Sequence, residues 1–166
     1  MITKITLITV LIYTIYMLYF CTRLLKTPKV VFKRKHYWVK TPTRATSGSA
    51  GFDFYNPENQ ISIAPNTMQI IDSKVYVALP KNFVMTVYPR SSLGIKQHLM
   101  LANTVGVIDS DYTRDTIKIA LYNYGKETIT LHAGDRIAQG VVTPYITDGK
   151  TVKTTRKGGL GSTGRR

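Results

Sequence analysis

The sequence predicts an all-β domain preceded by a hydrophobic and basic N-terminal segment. Three observations support this prediction: short β-rich runs separated by Pro, Asn, Asp and Lys, one stretch that alternates with period two, and an uncharged run near the N-terminus. A content of 43% hydrophobic and 19% charged residues is typical of a globular chain. At 166 residues, the chain is long enough for one domain with a sizeable core.

The β-rich runs begin after His36. Alternation with period two spans Thr116 to Asn123, and a turn at Tyr124-Gly125 predicts a hairpin into the next strand. The other predicted strands are Ile61 to Ile63, Thr67 to Asp72, Val75 to Leu79, Phe83 to Tyr88, Thr128 to Leu131 and Arg136 to Tyr145. Only the stretch Leu93 to Leu99 is compatible with a short helix. Closure as a jelly roll or barrel would protect the strand edges.

The N-terminal segment, residues 1–35, contains basic residues and no acid. Within it, Ile5 to Thr22 is uncharged and reaches the lower length limit of a membrane-spanning helix, about 18 residues. Basic residues follow, and the positive-inside rule would place the C-terminal side in the cytosol. Three interpretations stay open: a membrane anchor through residues 5–22, an organelle-targeting leader, and an upstream extension.

The net charge of +14 is divided about equally between this segment and the rest of the chain. Such an excess suggests a polyanionic partner, but no helix-turn-helix, zinc-finger or aromatic-basic pattern indicates a specific nucleic-acid partner. The single cysteine, Cys21, excludes an intramolecular disulfide and a zinc site built on cysteine pairs. Residues 153–166 are rich in Gly, Thr, Ser and Arg and predict a mobile arm, so the β-domain is expected over residues 36–152.

Five clusters place glycine beside charged or hydroxyl residues at predicted strand ends and turns. Glycine permits close backbone approach, and the free amides of such turns bind anions. Arginine, serine and glutamine side chains add the donors that a triphosphate requires. In chain order, the clusters are Ser47 to Phe54, Pro89 to Gly94, Gly106 to Tyr112, Gly134 to Gln139 and Gly158 to Gly164.

In this order and spacing, the five clusters resemble the five motifs of the dUTPase family, over the range from Lys40 to Gly164. The resemblance implies a dUTPase-like jelly-roll or β-barrel subunit that forms a homotrimer, with active sites at the subunit interfaces. It implies hydrolysis of dUTP to dUMP and pyrophosphate, with Mg²⁺ as the cofactor that accompanies the triphosphate. The enzyme domain would be cytosolic or nuclear.

The resemblance also implies roles for individual residues. Asp109 would orient and deprotonate the attacking water, and Tyr112 would pack on deoxyribose and exclude a ribose 2′-OH. Asn103 and the backbone around Val107 and Ile108 would read uracil. Asp53 would support the metal indirectly, through water. The remaining substrate-binding residues would contact phosphates or close the arm over a neighbour's site: Arg90, Ser91, Ser92, Gln139, Arg156, Leu160 and Gly161.

The sequence departs from the family pattern in two motifs. After Tyr112 the third motif is one residue longer and lacks its glycine, so the residue that faces the sugar from the returning strand is Ile117 or Lys118, with Lys118 preferred. In the fifth motif, Arg156 lies one residue closer to the glycine pair, and Leu160 replaces a phenylalanine. These changes concern closure of the arm rather than the core chemistry.

Two alternative functions belong to other classes. A related dCTP deaminase would need a glutamate general base, but the two glutamates, Glu58 and Glu127, lie in predicted turns outside the motifs. A regulatory or interaction protein of the same fold, with weak turnover, is the second alternative. Intact Arg90, Asp109 and Tyr112 argue against it.

Overall fold

The computed structural model describes residues 2–24, 28–150, 152, 154, 156, 158 and 159. These residues form twelve strands and two helices, which confirms the all-β class. The first half of the chain contains α1 (Ile2–Leu24), β1 (Val31–Arg34), β2 (Thr43–Arg44), β3 (Gly51–Tyr55), β4 (Gln60–Ile63), β5 (Met68–Asp72) and β6 (Val75–Ala78). The second half contains β7 (Phe83–Tyr88), α2 (Ser91–Gln97), β8 (Leu99–Leu101), β9 (Gly106–Ile108), β10 (Lys118–Asn123), β11 (Ile129–His132) and β12 (Arg136–Pro144).

The strands pair antiparallel in four sheets. The largest has the order β2-β3-β12-β7-β9, and a three-stranded sheet has the order β5-β10-β8. β1 pairs with β6, and β11 pairs with β4. Most neighbours within a sheet are distant in sequence, so the core is closed by long-range pairing rather than by hairpins.

The core forms where the inward faces of these sheets meet. In β10, Ile119 and Leu121 are fully buried while Ala120 and Tyr122 are only partly buried, which is the period-two pattern of a strand with one covered face. Phe54 of β3, Met85 of β7 and Ile137 of β12 are also fully buried. Burying large apolar side chains of this kind contributes about 1.5–3 kcal/mol each to folding.

The predicted hairpin at Tyr124-Gly125 is wrong, although both of its strands exist. β10 pairs with β5 and β8, whereas β11 pairs with β4. The buried side chain of Asn123 directs the chain between sheets, because its amide donates to Ile63 O at 2.9 Å and to Glu127 O at 2.8 Å while its oxygen accepts from Gly125 N at 2.9 Å. A two-residue turn motif cannot reveal such a change of sheet.

The N-terminal segment divides into two parts with different surroundings. The side chains from Thr6 to Thr22 in α1 are all exposed. Among the described residues, no helix has the length and apolar content needed to cross a membrane; such a helix was one of the three interpretations of residues 5–22. By contrast, β1 lies within the predicted 1–35 segment but pairs with β6, and Phe32 packs on Phe52 and Phe54 at ring separations of 5.1 and 6.1 Å.

Candidate active site

Four of the five sequence clusters meet at the five-stranded sheet. β3 belongs to the first cluster, β7 leads into the second, β9 begins the third and β12 contains part of the fourth. Asp53 pairs with Gln139, and Gln139 pairs with Tyr88, so the three residues lie side by side across β3, β12 and β7. Arg90 follows Tyr88 by two residues. The register therefore brings a carboxylate, an amide and a guanidinium to one end of the sheet.

Asp53 is a buried carboxylate held by two arginines. It is 6% exposed, and its oxygens lie 3.0 Å from Arg90 Nε and 3.3 Å from Arg136 Nη1. A buried charge is costly unless it has such partners. The pair positions Arg90 through its Nε, so that the two Nη groups are not used in this contact. We call Asp53, Arg90 and Gln139 the phosphate-side group, after the phosphate contacts that the sequence resemblance implies for Arg90 and Gln139.

Gln139, the third member of the phosphate-side group, lies close to the backbone at Pro89 and Gly51. Its Nε2 donates to Pro89 O at 3.3 Å, directly before Arg90. A Cβ at Gly51 would lie 2.8 Å from Gln139 Oε1, so a larger residue at position 51 would displace the glutamine side chain. Gly51 is therefore required because the side chain of Gln139 packs against it, and not because its backbone has a positive φ.

A small cavity of about 170 Å³ lies beside β9 and the turn that follows it. β9 is at the edge of the five-stranded sheet, so one side of its backbone is not paired within that sheet. We call this the base-side cavity, and its volume is below the range of about 300–1,000 Å³ typical of whole-ligand pockets. It is lined by Asn103, Gly106, Val107, Ile108, Tyr112, Lys118, Arg156 and Gly159.

Asp109 lies directly after the residues of β9 that line the base-side cavity, and Arg156 from the C-terminal arm contacts it. Arg156 Nη2 donates to Asp109 Oδ2, and Arg156 Nε donates to Asp111 Oδ1 at 2.9 Å. The guanidinium also lies 5.7 Å from the centre of the Tyr112 ring. Arg156 is 17% exposed, whereas Asp109 and Asp111 are 46% and 60% exposed.

Tyr112 is buried at the edge of the base-side cavity. Its hydroxyl donates to Thr116 O at 3.1 Å. Burial, followed by the negative charge of Asp115, raises the pKa of Tyr112 above its ordinary value. The phenol therefore stays protonated and acts as a donor at neutral pH, which fixes the direction of its ring.

The returning strand brings Lys118, rather than Ile117, to the cavity. Ile117 is fully buried in the core, whereas Lys118 lines the cavity. The ammonium nitrogen of Lys118 lies 2.7 Å from Thr116 Oγ1, 3.0 Å from Asp72 Oδ2 and 3.2 Å from Asp115 Oδ1. An ammonium group has three donors, and these three acceptors use all of them.

The structure therefore separates the expected site residues into two groups. Asp53, Arg90 and Gln139 form the phosphate-side group, and the base-side cavity contains none of them. Asn103, Val107, Ile108, Tyr112, Lys118 and Arg156 line that cavity, and Asp109 adjoins it through Arg156. Ser91 and Ser92 are exposed at the start of α2. Leu160 and Gly161 lie outside the described residues.

The oxygen and nitrogen atoms of the site can be compared with the ligands that a divalent cation needs. Among the described residues, no three His, Cys, Asp or Glu side chains lie together as a metal cluster. Both oxygens of Asp53 contact arginines. Mg²⁺ commonly binds through one or two carboxylates, substrate phosphates and several waters. One carboxylate beside an amide and an arginine is compatible with a cation that arrives with a polyphosphate, and incompatible with a protein-only cage.

Three functional residues received no role in the sequence-based prediction. Arg136 pairs with Asp53, and Asp72 and Thr116 contact Lys118. Two of these contacts, Arg136 with Asp53 and Asp72 with Lys118, join segments that are distant in sequence. Period-two alternation predicted the face on which Lys118 lies, but only strand register reveals that Asp72 is its direct cross-strand partner.

The fold and the site together define a class of protein: an all-β domain with a carboxylate, an amide and arginines at one end of its largest sheet, and a small polar cavity beside the edge strand of that sheet. A family model described as dUTPase matches residues 38–164. The match covers more than half of the chain, and the chain therefore belongs to the dUTPase family.

Individual relatives agree with this membership. The chain is 44% identical over 136 residues to the deoxyuridine 5′-triphosphate nucleotidohydrolase of Escherichia phage T5, covering 74% of this chain and 90% of the relative. The crystal structure of dUTPase from Streptococcus mutans matches with a TM-score of 0.66 and 28% identity, covering 72% of this chain and 98% of that one. A dUTPase from phage phi11 of S. aureus, whose structure describes coordination of a structural Mg(II) ion, matches with a TM-score of 0.66. Its 20% identity, over 76% of this chain and 97% of that one, shows the fold alone.

Proposed function

We propose that the protein is a dUTP diphosphatase that hydrolyses dUTP to dUMP and pyrophosphate. The observation that carries the proposal is the position of the Asp109 carboxylate beside a cavity lined by an edge strand and Tyr112. The expected consequence is a low dUTP concentration, which limits uracil incorporation into DNA, and a supply of dUMP for dTMP synthesis. Family membership and the 44% identical phage T5 nucleotidohydrolase support the same reaction.

Uracil is read by backbone groups at the edge of β9 together with Asn103. The free side of an edge strand presents N–H and C=O groups that can pair with a ligand. Uracil offers O4 as an acceptor and N3–H as a donor, and cytosine offers the reverse pattern. A site whose backbone groups pair with uracil would leave those buried groups unpaired when cytosine binds, and it would therefore discriminate strongly against cytosine. The small cavity beside β9, about 170 Å³, supports a base-sized ligand.

The deoxyribose packs against the ring of Tyr112. The hydroxyl of Tyr112 is held by Thr116 O, so the ring is not free to move aside for a ribose 2′-OH. A 2′-OH would meet the apolar ring face without a partner, and an unpaired hydroxyl that loses water is costly. This contact selects deoxynucleotides over ribonucleotides.

Asp109 acts as the general base for the attacking water. The carboxylate takes the proton, the water oxygen forms a bond to the α-phosphorus, and the bond from that phosphorus to the α–β bridging oxygen breaks. Pyrophosphate leaves with the electron pair of the broken bond. General-base catalysis contributes about 10²–10⁴-fold. Arg156 contacts Oδ2 of Asp109, so a transfer of Arg156 to the triphosphate would free that oxygen to accept the proton.

The triphosphate is bound by Arg90, Ser91, Ser92 and Gln139, with Arg156 joining from the arm. Arg90 is positioned by Asp53, so its free donors can face phosphate oxygens without prior rearrangement. Mg²⁺ bound with the triphosphate would neutralise phosphate charge in the transition state. Asp53 would support that ion indirectly, through water, and Gln139 would contact the phosphates.

The subunits act as a homotrimer with shared sites. The separation of the phosphate-side group from the base-side cavity supports this arrangement, because a complete site then combines groups from different copies. The outward face of the three-stranded sheet adds support. Met68, Ile70 and Met100 are exposed there, beside the partly buried Tyr122, and a contiguous exposed apolar face is typical of an interface.

Pyrophosphate release by the purified full chain, with dUTP, UTP and dCTP, tests the reaction. Turnover of dUTP should exceed that of both other nucleotides, and Asp109→Asn should reduce it by about 10²–10⁴-fold while dUTP still binds. Ammonia release from dCTP without pyrophosphate release would favour the deaminase alternative. Absence of turnover with intact dUTP binding would favour a regulatory protein.

Mixing two inactive variants tests the shared site. Asp109→Asn and Arg90→Ala chains, unfolded together and refolded, should recover up to about a quarter of wild-type activity if one site takes these residues from different subunits. Each variant refolded alone is the control. Absence of recovery, with light scattering showing mixed trimers, would mean that both residues act within one chain.

A further inference from the structure

The turn after Tyr112 is held by a cluster of charges on neighbouring strands. The turn runs from Tyr112 to Thr116, contains no glycine, and includes none of the described residues with positive φ. An irregular turn of this kind needs its polar groups satisfied by side chains. Asp115 begins this by accepting from Thr116 N at 2.7 Å.

Asp72 and Lys118 complete the cluster from the two strands beside the turn. They are direct cross-strand partners in β5 and β10, with the ammonium and the carboxylate 3.0 Å apart. Thr116 Oγ1 donates to Asp72 Oδ1 at 2.5 Å, and Lys118 donates to Thr116 Oγ1 at 2.7 Å. Lys118 also contacts Asp115 at 3.2 Å. Thr116 is therefore fixed from three sides.

Thr116 connects this cluster to the candidate sugar contact. Its side chain and its N–H belong to the cluster, and its C=O accepts the hydrogen bond from the Tyr112 hydroxyl. Displacement of Thr116 would therefore move the tyrosine ring. Lys118 has no donor left for substrate, so its ammonium acts on the turn rather than on phosphate.

We propose that Asp72 and Lys118 are positioning residues that hold the Tyr112 ring and thereby set the discrimination between deoxyribose and ribose nucleotides. This inference rests on the proposed dUTP diphosphatase function. The turn is one residue longer than the family pattern and lacks the glycine that would allow a tight backbone conformation. The ion cluster holds the backbone of the turn in place instead. Loss of either charge weakens or removes a contact to Thr116 and gives the ring more freedom.

The quantity to measure is the ratio of kcat/KM for dUTP to kcat/KM for UTP. Asp72→Asn and Lys118→Met should each lower the ratio about tenfold, chiefly through faster turnover of UTP. The double variant should be no worse than either single variant, because both residues act through the same turn. Asp115→Asn should lower the ratio about threefold, because the substituted residue is partly exposed and its amide oxygen still accepts a hydrogen bond.

Lys74→Met is the matched control. Lys74 contacts the same carboxylate of Asp72 at 3.3 Å and Glu58 at 3.9 Å, but unlike Lys118 it makes no direct hydrogen bond to Thr116 among the described contacts. This variant should keep the ratio within about twofold of wild type. A purely structural role for the cluster would lower the melting temperature and reduce kcat/KM for both nucleotides equally, leaving the ratio unchanged.

The outcomes separate this inference from the proposed function. If the wild-type protein hydrolyses dUTP and the folded variants keep its ratio, the positioning role is overturned and the enzyme assignment stands. If the wild type does not hydrolyse dUTP, the affinities for non-hydrolysable dUTP and UTP analogues replace the rates in the same comparison. If Asp72→Asn does not fold, Lys118→Met and Asp115→Asn decide the question, since both side chains are partly exposed.

Discussion

The phosphate-side group and the base-side cavity are built by different means. Asp53, Arg90 and Gln139 are placed by strand register in the largest sheet, and the carboxylate at their centre is buried. The base-side cavity is formed by an edge strand, a turn and the C-terminal arm, and its ion pairs with Arg156 involve exposed carboxylates. We infer that the first region is the more rigid one because its central carboxylate is buried, whereas the second depends on contacts to exposed carboxylates.

Asp53→Asn tests the organised region and should have the largest effect. Breaking a buried ion pair costs about 3–5 kcal/mol, and the partial exposure of both arginines favours the lower end of that range. The expected loss of unfolding free energy is therefore about 3 kcal/mol, measured by urea denaturation. Asp148→Asn is the control, because its pair with Lys150 is exposed and should contribute less than about 0.5 kcal/mol. If Asp53→Asn lost no more unfolding free energy than Asp148→Asn, the phosphate-side group would not be the more strongly organised of the two regions.

Arg156→Gln tests the region closed by the arm. The variant should lose about tenfold in kcat/KM for dUTP, equivalent to about 1.4 kcal/mol, because one charged phosphate contact is removed. It should also show a weaker dependence of kcat/KM on salt, since exposed charges are screened within about 10 Å at 0.1 M. Parallel salt titrations of wild type and variant provide the measurement. Identical salt dependence would mean that Arg156 does not approach the phosphates.

The pH dependence of stability sharpens the comparison for the cluster that holds Tyr112. Although burial opposes ionisation, hydrogen bonds from Thr116, Lys74 N and Lys118 lower the pKa of Asp72 well below its usual range. The pKa of Lys118 is raised, because hydrogen bonds to Asp72 and Asp115 outweigh the opposing effect of burial. The stabilisation by Asp72 is therefore complete above its unfolded pKa of about 3.9 and is lost as the pH falls through the lower folded value.

At neutral pH the unfolding free energy of wild type should therefore exceed that of Asp72→Asn by about 1 kcal/mol. This value is lower than for a fully buried hydrogen bond to a charged group, because Asp72 is partly exposed. The difference should be constant between pH 5 and 9 and should shrink below about pH 4. Urea denaturation of both proteins from pH 3 to pH 8 measures it. A difference that grows as the pH falls would show that the carboxylate is not the stabilising form.

Local sequence patterns predicted much of the fold and several members of the site. Alternation predicted the strand that became β10, because successive side chains in a strand point to opposite faces of the sheet. The β-rich runs predicted β4 to β7 and β12. The glycine-containing clusters predicted where ligand-binding turns lie. The segments that became β1, β2, β3, β8 and β9 were not predicted as strands. β1 lies in the segment assigned to the N-terminal extension, and β3 and β9 lie in glycine-containing clusters whose composition indicates turns.

The amino-acid sequence by itself determined the all-β class, the order of the five clusters and the chemical types available to the site. Tertiary structure decided which strands pair, that Asp53 is enclosed by Arg90 and Arg136, and that Lys118 bonds to Asp72 and Asp115. It also decided that Asn123 sends the chain to another sheet in place of a hairpin. The physical reason is that strand period and turn chemistry are local properties, whereas register and ion pairing depend on which distant segments the buried core brings into contact.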